Sequence, residues 1–295
     1  MRLDWRRYLN WMGSLLAFGG VVFVGFRLHG YWNNLDFARL TLTVLGCIAV
    51  CSCIYSAANV LLAMAWRHIL LHLGAPVPHL WSVKVYGISQ LAKYLPGNVF
   101  QFAGRQSLGM ADGIASGKLL KSTAWEIGLL VCAGSSFAVL GMPFFWHALS
   151  PQMGLFIWAG TVVLACFGLR KFIGPPVSAA FFLQALFLLV SAGTFVLLLF
   201  AIEGTNAFVL EFWPSLGGGY ILAWLVGLLT PGAPAGVGVR EAVLLFMLRG
   251  CLPESDLLLA IILARVVTVF GDLIFFFSVF FLIRNQTLLA KQSVM

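Results

Sequence analysis

Charge is what this chain has least of. Only 9% of its 295 residues are Asp, Glu, Lys or Arg, against 61% hydrophobic, and the mean hydropathy is +0.98. A soluble domain of this length needs a charged surface, so the balance excludes one and implies an integral membrane protein. Histidine and cysteine are sparse too, with five and six copies. Cys47, Cys51, Cys53, Cys132 and Cys166 fall inside apolar runs and read as small buried hydrophobes, not as a disulfide framework. His68 and His72 have i,i+4 spacing but no third ligand beside them, so no metal or other cofactor is expected. Gly134-Ser135-Ser136 lacks a histidine in any span to activate a serine nucleophile. Asp112-Gly113 lacks the arginine and further aspartates of a phospholipid-headgroup transferase. No phosphate-binding Gly-Lys loop occurs, which argues against ATP-driven transport by this chain alone. The net charge of +8 is no nucleic-acid footprint, because the basic residues lie between apolar runs, where they orient spans.

Long apolar runs are plentiful, and a crossing helix needs about 20 such residues. Six segments qualify, at about 8–28, 40–66, 118–142, 153–170, 179–203 and 256–284. The first follows the basic stretch Arg2 to Arg7 and has no small-residue cleavage site after it, so it reads as an uncleaved span. Two further apolar segments, about 83–104 and 216–249, are interrupted by Pro and Gly. They hold the chain's two Pro-Gly dipeptides, Pro96-Gly97 and Pro231-Gly232, each followed nine residues later by an arginine, Arg105 or Arg240. The two motifs lie 135 residues apart (231 − 96). The same shift carries spans one, two and three of the list onto spans four, five and six. Each copy is therefore span, span, broken segment, span, with repeats at 1–142 and 143–295.

Basic residues discriminate between crossing and turning back at the broken segments. If both turn back, Arg2, Arg6, Arg7, Arg67, Lys84, Arg105, Lys118, Lys121, Arg170, Lys171, Arg284 and Lys291 share the cytoplasmic side. The loops at about 143–152 and 204–215, which lack Lys and Arg and include Glu211, then lie outside. The expectation is an all-α protein with six transmembrane helices plus two re-entrant hairpins. Both termini are cytoplasmic, in a bacterial-type inner membrane. Three crossings per copy invert the second repeat relative to the first, as in many secondary transporters.

A Pro-Gly break frees backbone N–H groups at the start of the next helix, which attract anions. Around the first break stand Lys93, Pro96, Gly97, Asn98, Gln101 and Arg105. Around the second stand Pro231, Gly232, Gly236, Gly238, Arg240 and Glu241. Arg105, Arg240 and Lys93 are the expected holders of a phosphate. Intramembrane charges are rare and usually paired, so Glu126 and Arg265, which occupy nearly equivalent places in the two copies, are expected to form an ion pair or gate. Asp272 lies on the helix face of Arg265.

The residues Trp66-Arg67, Leu95-Pro96-Gly97-Asn98 through Arg105, Glu126, Gly236-Val237-Gly238-Val239-Arg240-Glu241 and Arg265 resemble the flippase-like membrane domain of the lysylphosphatidylglycerol synthase family. The likeness covers about residues 60–275. The family's usual Pro-Gly-Gly-Leu-Gly-Val-Arg-Glu is here a looser Pro231-to-Glu241 stretch. Full-length synthases carry a soluble aminoacyl-transferase domain, whereas this chain resembles the flipping half alone. The resemblance implies movement of an anionic phospholipid or a polyprenyl-linked saccharide between leaflets, with a cell-envelope glycosyltransferase as a partner. Two other classes stay open: a membrane-embedded transferase with Glu126 as base, and a non-catalytic partner of a glycosyltransferase.

Overall fold

The computed structural model describes residues 41–95, 99–144, 149–204, 207–230 and 238–292, with side chains left aside at 207, 254 and 283–292. The expected span at 8–28 lies outside these residues. The described chain is helical, apart from one isolated bridge between Arg249 and Leu252. Its helices are α1 (Leu42–His72), α2 (His79–Gln90), α3 (Phe100–Ala111), α4 (Ser116–Ser136), α5 (Ala138–Gly141), α6 (Pro151–Phe172), α7 (Pro175–Glu203), α8 (Ala207–Leu229), α9 (Val239–Met247) and α10 (Glu254–Gln292). Six stretches are long and apolar enough to cross a membrane: Leu42–His72, Ser116–Phe144, Pro151–Phe172, Pro175–Glu203, Phe208–Leu229 and Ser255–Leu282. The protein is thus an all-α, multi-pass membrane protein.

Local signals set the helix starts. Thr41 caps α1 by accepting from the Val44 N–H, and Ser150 caps α6 by accepting from the Met153 N–H. Pro151 and Pro175 sit in the first turns of α6 and α7, where their missing N–H costs nothing. One expectation needs correction. The segment at 204–215 is not a loop throughout, because α8 begins at Ala207 and runs through Pro214. A membrane helix tolerates proline where neighbouring helices cover the freed carbonyl.

The first broken segment is a true hairpin. α2 continues as a 3-10 turn, Leu91–Tyr94, and α3 returns beside it. The two ends meet where the Trp81 indole donates to Asp112 at 2.6 Å, so the hairpin starts and finishes at one end of the protein. Lys118 donates to the Gly74 carbonyl and Arg67 to the Val77 carbonyl at that same end. The α2 leg spans about 26 Å, short of the roughly 30 Å of hydrocarbon. In the second broken segment α9 has nine residues and reaches about 14 Å.

α1 packs along α7 and α10, and α10 also packs on α2. Gly217, Gly218 and Gly219 give α8 close approach on three sides, since successive helix positions turn by about 100°. A Cβ on them would meet Ala192 of α7 at 3.2 Å, Leu140 of α5 at 2.6 Å, and Leu248 after α9 at 3.6 Å. Gly218→Ala is therefore expected to lower stability by about 1–3 kcal/mol, read as a lower Tm in detergent. On the outside, Phe156, Val163, Leu164 and Phe167 of α6 are exposed, as a lipid-facing helix requires. Cys53 and Cys132 share that exposure, contrary to the expected burial, while all six cysteines are free thiols.

Candidate functional site

The two broken segments meet around a polar cavity of about 90 Å3. At roughly 10–15 Å3 per water, that is room for about half a dozen waters or one headgroup-sized anion. Lys93, Gln101 and Arg105 reach it from the first hairpin, Arg240 from α9, Glu126 from α4 and Arg265 from α10. Tyr55, Tyr86, Tyr94, Phe102, Phe187 and Trp224 supply most of its aromatic wall.

Among the described residues three ion pairs stand around this space, and none is the expected Glu126–Arg265 contact. Glu126, half-way along α4, accepts at both oxygens from Arg105 Nη1, at 2.7 and 2.8 Å. It also accepts from the Tyr86 hydroxyl at 3.2 Å. Arg265 instead donates through Nε to Glu241 Oε1 at 2.6 Å. The helix faces explain the exchange: α3 and α9 each bring an oppositely charged group against the span that follows, within hydrogen-bond reach. Asp272, wholly buried, pairs with Lys93 at 2.7 Å and accepts from the Tyr94 hydroxyl. Asn59 and Gln90 donate to its other oxygen at 3.3 and 3.4 Å.

These neutral donors make the Lys93–Asp272 pair less fragile than an isolated one. Lys93→Met is expected to cost roughly 1–3 kcal/mol in denaturant or thermal unfolding, since three neutral donors remain on the carboxylate. A larger loss would show that the ammonium alone holds Asp272 in place.

Arg240 stands apart. It is 6% exposed, yet among the described residues it makes no hydrogen bond and no ion pair. Its guanidinium lies over the Tyr220 ring at 4.2 Å, just as Arg105 lies over the Tyr86 ring at 4.3 Å. Arg105 and Arg240 are separated by 135 residues, and Tyr86 and Tyr220 by 134. The two arginines thus have like settings, but only Arg105 has a carboxylate. Position 261, which is 135 beyond Glu126, is Ile261, and it lines a small pocket with Arg240.

The other expected site residues divide clearly. Gly238 caps α9 at φ +86°, a left-handed conformation suited to glycine, and its N–H donates to Glu241 Oε2 at 2.6 Å. Glu241 is therefore occupied at both oxygens and does not line this cavity. Pro96, Gly97, Asn98, Pro231, Gly232 and Gly236 lie outside the described residues. Sequence reasoning missed Asn59, Gln90, Tyr86, Tyr94 and Tyr220. Tyr86, Gln90, Lys93 and Tyr94 follow i, i+4, i+7, i+8 spacing, a polar stripe on one helix face that was there to be read.

The motifs set aside as structural have partners. Ser136 accepts from the Trp158 indole, and the His72 ring meets the edge of Trp125. Among the described residues no group of three His, Cys, Asp or Glu side chains could hold a metal. Protein-family models, curated proteins and solved structures contain no match to this chain.

Proposed function

We propose that this protein is a lipid transporter that moves an anionic phospholipid, or a polyprenyl-phosphate-linked saccharide, between leaflets. One observation carries the reading: a buried Arg240, unpaired among the described residues, faces a cavity lined by charged and aromatic side chains where two broken helices meet. A cation held deep in apolar surroundings costs several kcal/mol unless an anion joins it. Broken helices beside such a cavity are where transporters place their substrates. The short legs of the first hairpin and the nine-residue α9 support re-entrant segments, although α8 before the second break is long enough to cross. The equivalent settings of Arg105 and Arg240 support two related halves. Inverted repeats, an inner-membrane location and cytoplasmic termini belong to the same reading. So does kinship with the flippase-like domain of the lysylphosphatidylglycerol synthases, whose motif residues Arg105, Glu126, Arg240 and Arg265 surround the cavity here.

A transferase that used Glu126 as its base fits the geometry less well. Both oxygens of that carboxylate are already taken by Arg105, and one also by Tyr86, so it is not free to reach a substrate hydroxyl. The transport reading is tested by reconstituting the full chain into vesicles with fluorescent phosphatidylglycerol and following loss of outer-leaflet signal on quenching. Faster leaflet exchange than in protein-free vesicles is expected. Equal rates for phosphatidylglycerol and for a polyprenyl-phosphate probe, both matching protein-free vesicles, would retire it.

A further inference from the structure

Among the described residues the charges around the cavity do not balance, and the imbalance is one unit. Lys93, Arg105, Arg240 and Arg265 face Glu126, Glu241 and Asp272. Each carboxylate is taken by one cation, which leaves the excess on Arg240. The segments that complete the two breaks, 96–98 and 231–237, contain no charged residue, so they cannot alter this count. The first half shows what an arginine in this setting accepts: a single carboxylate, Glu126, with Tyr86 stacked beneath the guanidinium. In the second half the corresponding position is Ile261, and the carboxylate nearest it, Glu241, is already held by Arg265 and the Gly238 N–H.

We infer that the ligand presents a monoanion, a phosphodiester headgroup, which docks on Arg240 from the cavity and neutralises it as Glu126 neutralises Arg105. This rests on the anion-transport reading above and narrows it. A monoanion neutralises the cluster with all three ion pairs closed. A phosphomonoester, which is largely dianionic above pH 7, overcharges it or must break a pair. A headgroup with its own ammonium brings a fifth cation to four.

The test is lipid retention by the full chain in detergent at pH 8, read by native mass spectrometry. The probes are phosphatidylglycerol, phosphatidic acid and phosphatidylcholine. Wild type is expected to prefer phosphatidylglycerol by about tenfold over either competitor, as one mismatched charge in a partly screened site would give. Ile261→Glu would supply the missing carboxylate, and it is expected to lose phosphatidylglycerol while melting no lower than wild type. Ile261→Gln, of the same shape without the charge, should retain the lipid. Inorganic phosphate is added as the soluble alternative and should not displace phosphatidylglycerol.

Equal or better retention of phosphatidic acid or phosphatidylcholine would overturn the monoanion assignment. So would full retention by Ile261→Glu, or loss in both Ile261 variants alike. Displacement by inorganic phosphate would make the ligand a soluble anion. Leaflet exchange is measured separately. Selective retention without exchange removes the transport reading and leaves this inference standing, whereas exchange without charge selectivity does the reverse.

Discussion

Arg240→Ala is expected to abolish leaflet exchange of an anionic lipid and to leave the protein's Tm unchanged or higher. The second half of that expectation separates a functional arginine from a structural one. Removing one partner of a buried ion pair costs about 3–5 kcal/mol, because the other charge is left stranded. Arg240 has no such partner among the described residues, so its loss strands nothing. The variant instead removes an uncompensated charge from apolar surroundings. Some packing over the Tyr220 ring goes with it, a contribution of about 0.5–2 kcal/mol. Vesicle exchange and thermal unfolding in detergent read the two effects independently. A large fall in Tm would mean that the guanidinium holds α9 in place, and unimpaired exchange would remove it from the site.

Arg105→Ala should behave in the opposite way. Arg105 is 3% exposed and Glu126 4%, and the arginine satisfies both carboxylate oxygens. Truncating it leaves Glu126 buried with only the Tyr86 hydroxyl, so a loss of about 3–5 kcal/mol is expected. Loss of transport in that variant alone is therefore uninformative. The double variant Arg105→Met with Glu126→Leu removes both charges and keeps most of the volume. It is expected to recover the stability of the wild type, because replacing a whole buried pair by apolar groups is often neutral. Transport should stay absent, since the cavity has lost the guanidinium that faces the first hairpin. A stable double variant that transports at the wild-type rate would make the pair a structural tie between α3 and α4.

Much of this arrangement was legible before any coordinates. Apolar runs of membrane-crossing length marked α1, α4, α6, α7 and α10 to within a turn or two. Pro-Gly dipeptides marked the places where the described helices stop, after Leu95 and Thr230. The scarcity of charge also made Arg105, Glu126, Arg240, Arg265 and Asp272 conspicuous, since each must be paired or used at that depth. The segment at 204–215 misled: its lack of Lys and Arg read as an outside loop, yet α8 begins at Ala207 and passes through Pro214. Backbone breaks are local in sequence, but whether a proline breaks a helix depends on the neighbours that cover its carbonyl.

Hydropathy and helix breakers, which act through the chain's own backbone and its transfer into lipid, determined by themselves the all-α membrane class, most spans and the short list of costly charges. Partnership was decided only by tertiary packing. Glu126 meets Arg105 and not Arg265, and Lys93 reaches Asp272 from a hairpin 179 residues away in the chain. A side chain's cost of burial is a property of its sequence and span, but its partner depends on which helix faces come together and at what height. For the same reason Ile261 was one more apolar residue in a span until packing set it beside an arginine that no described carboxylate pairs.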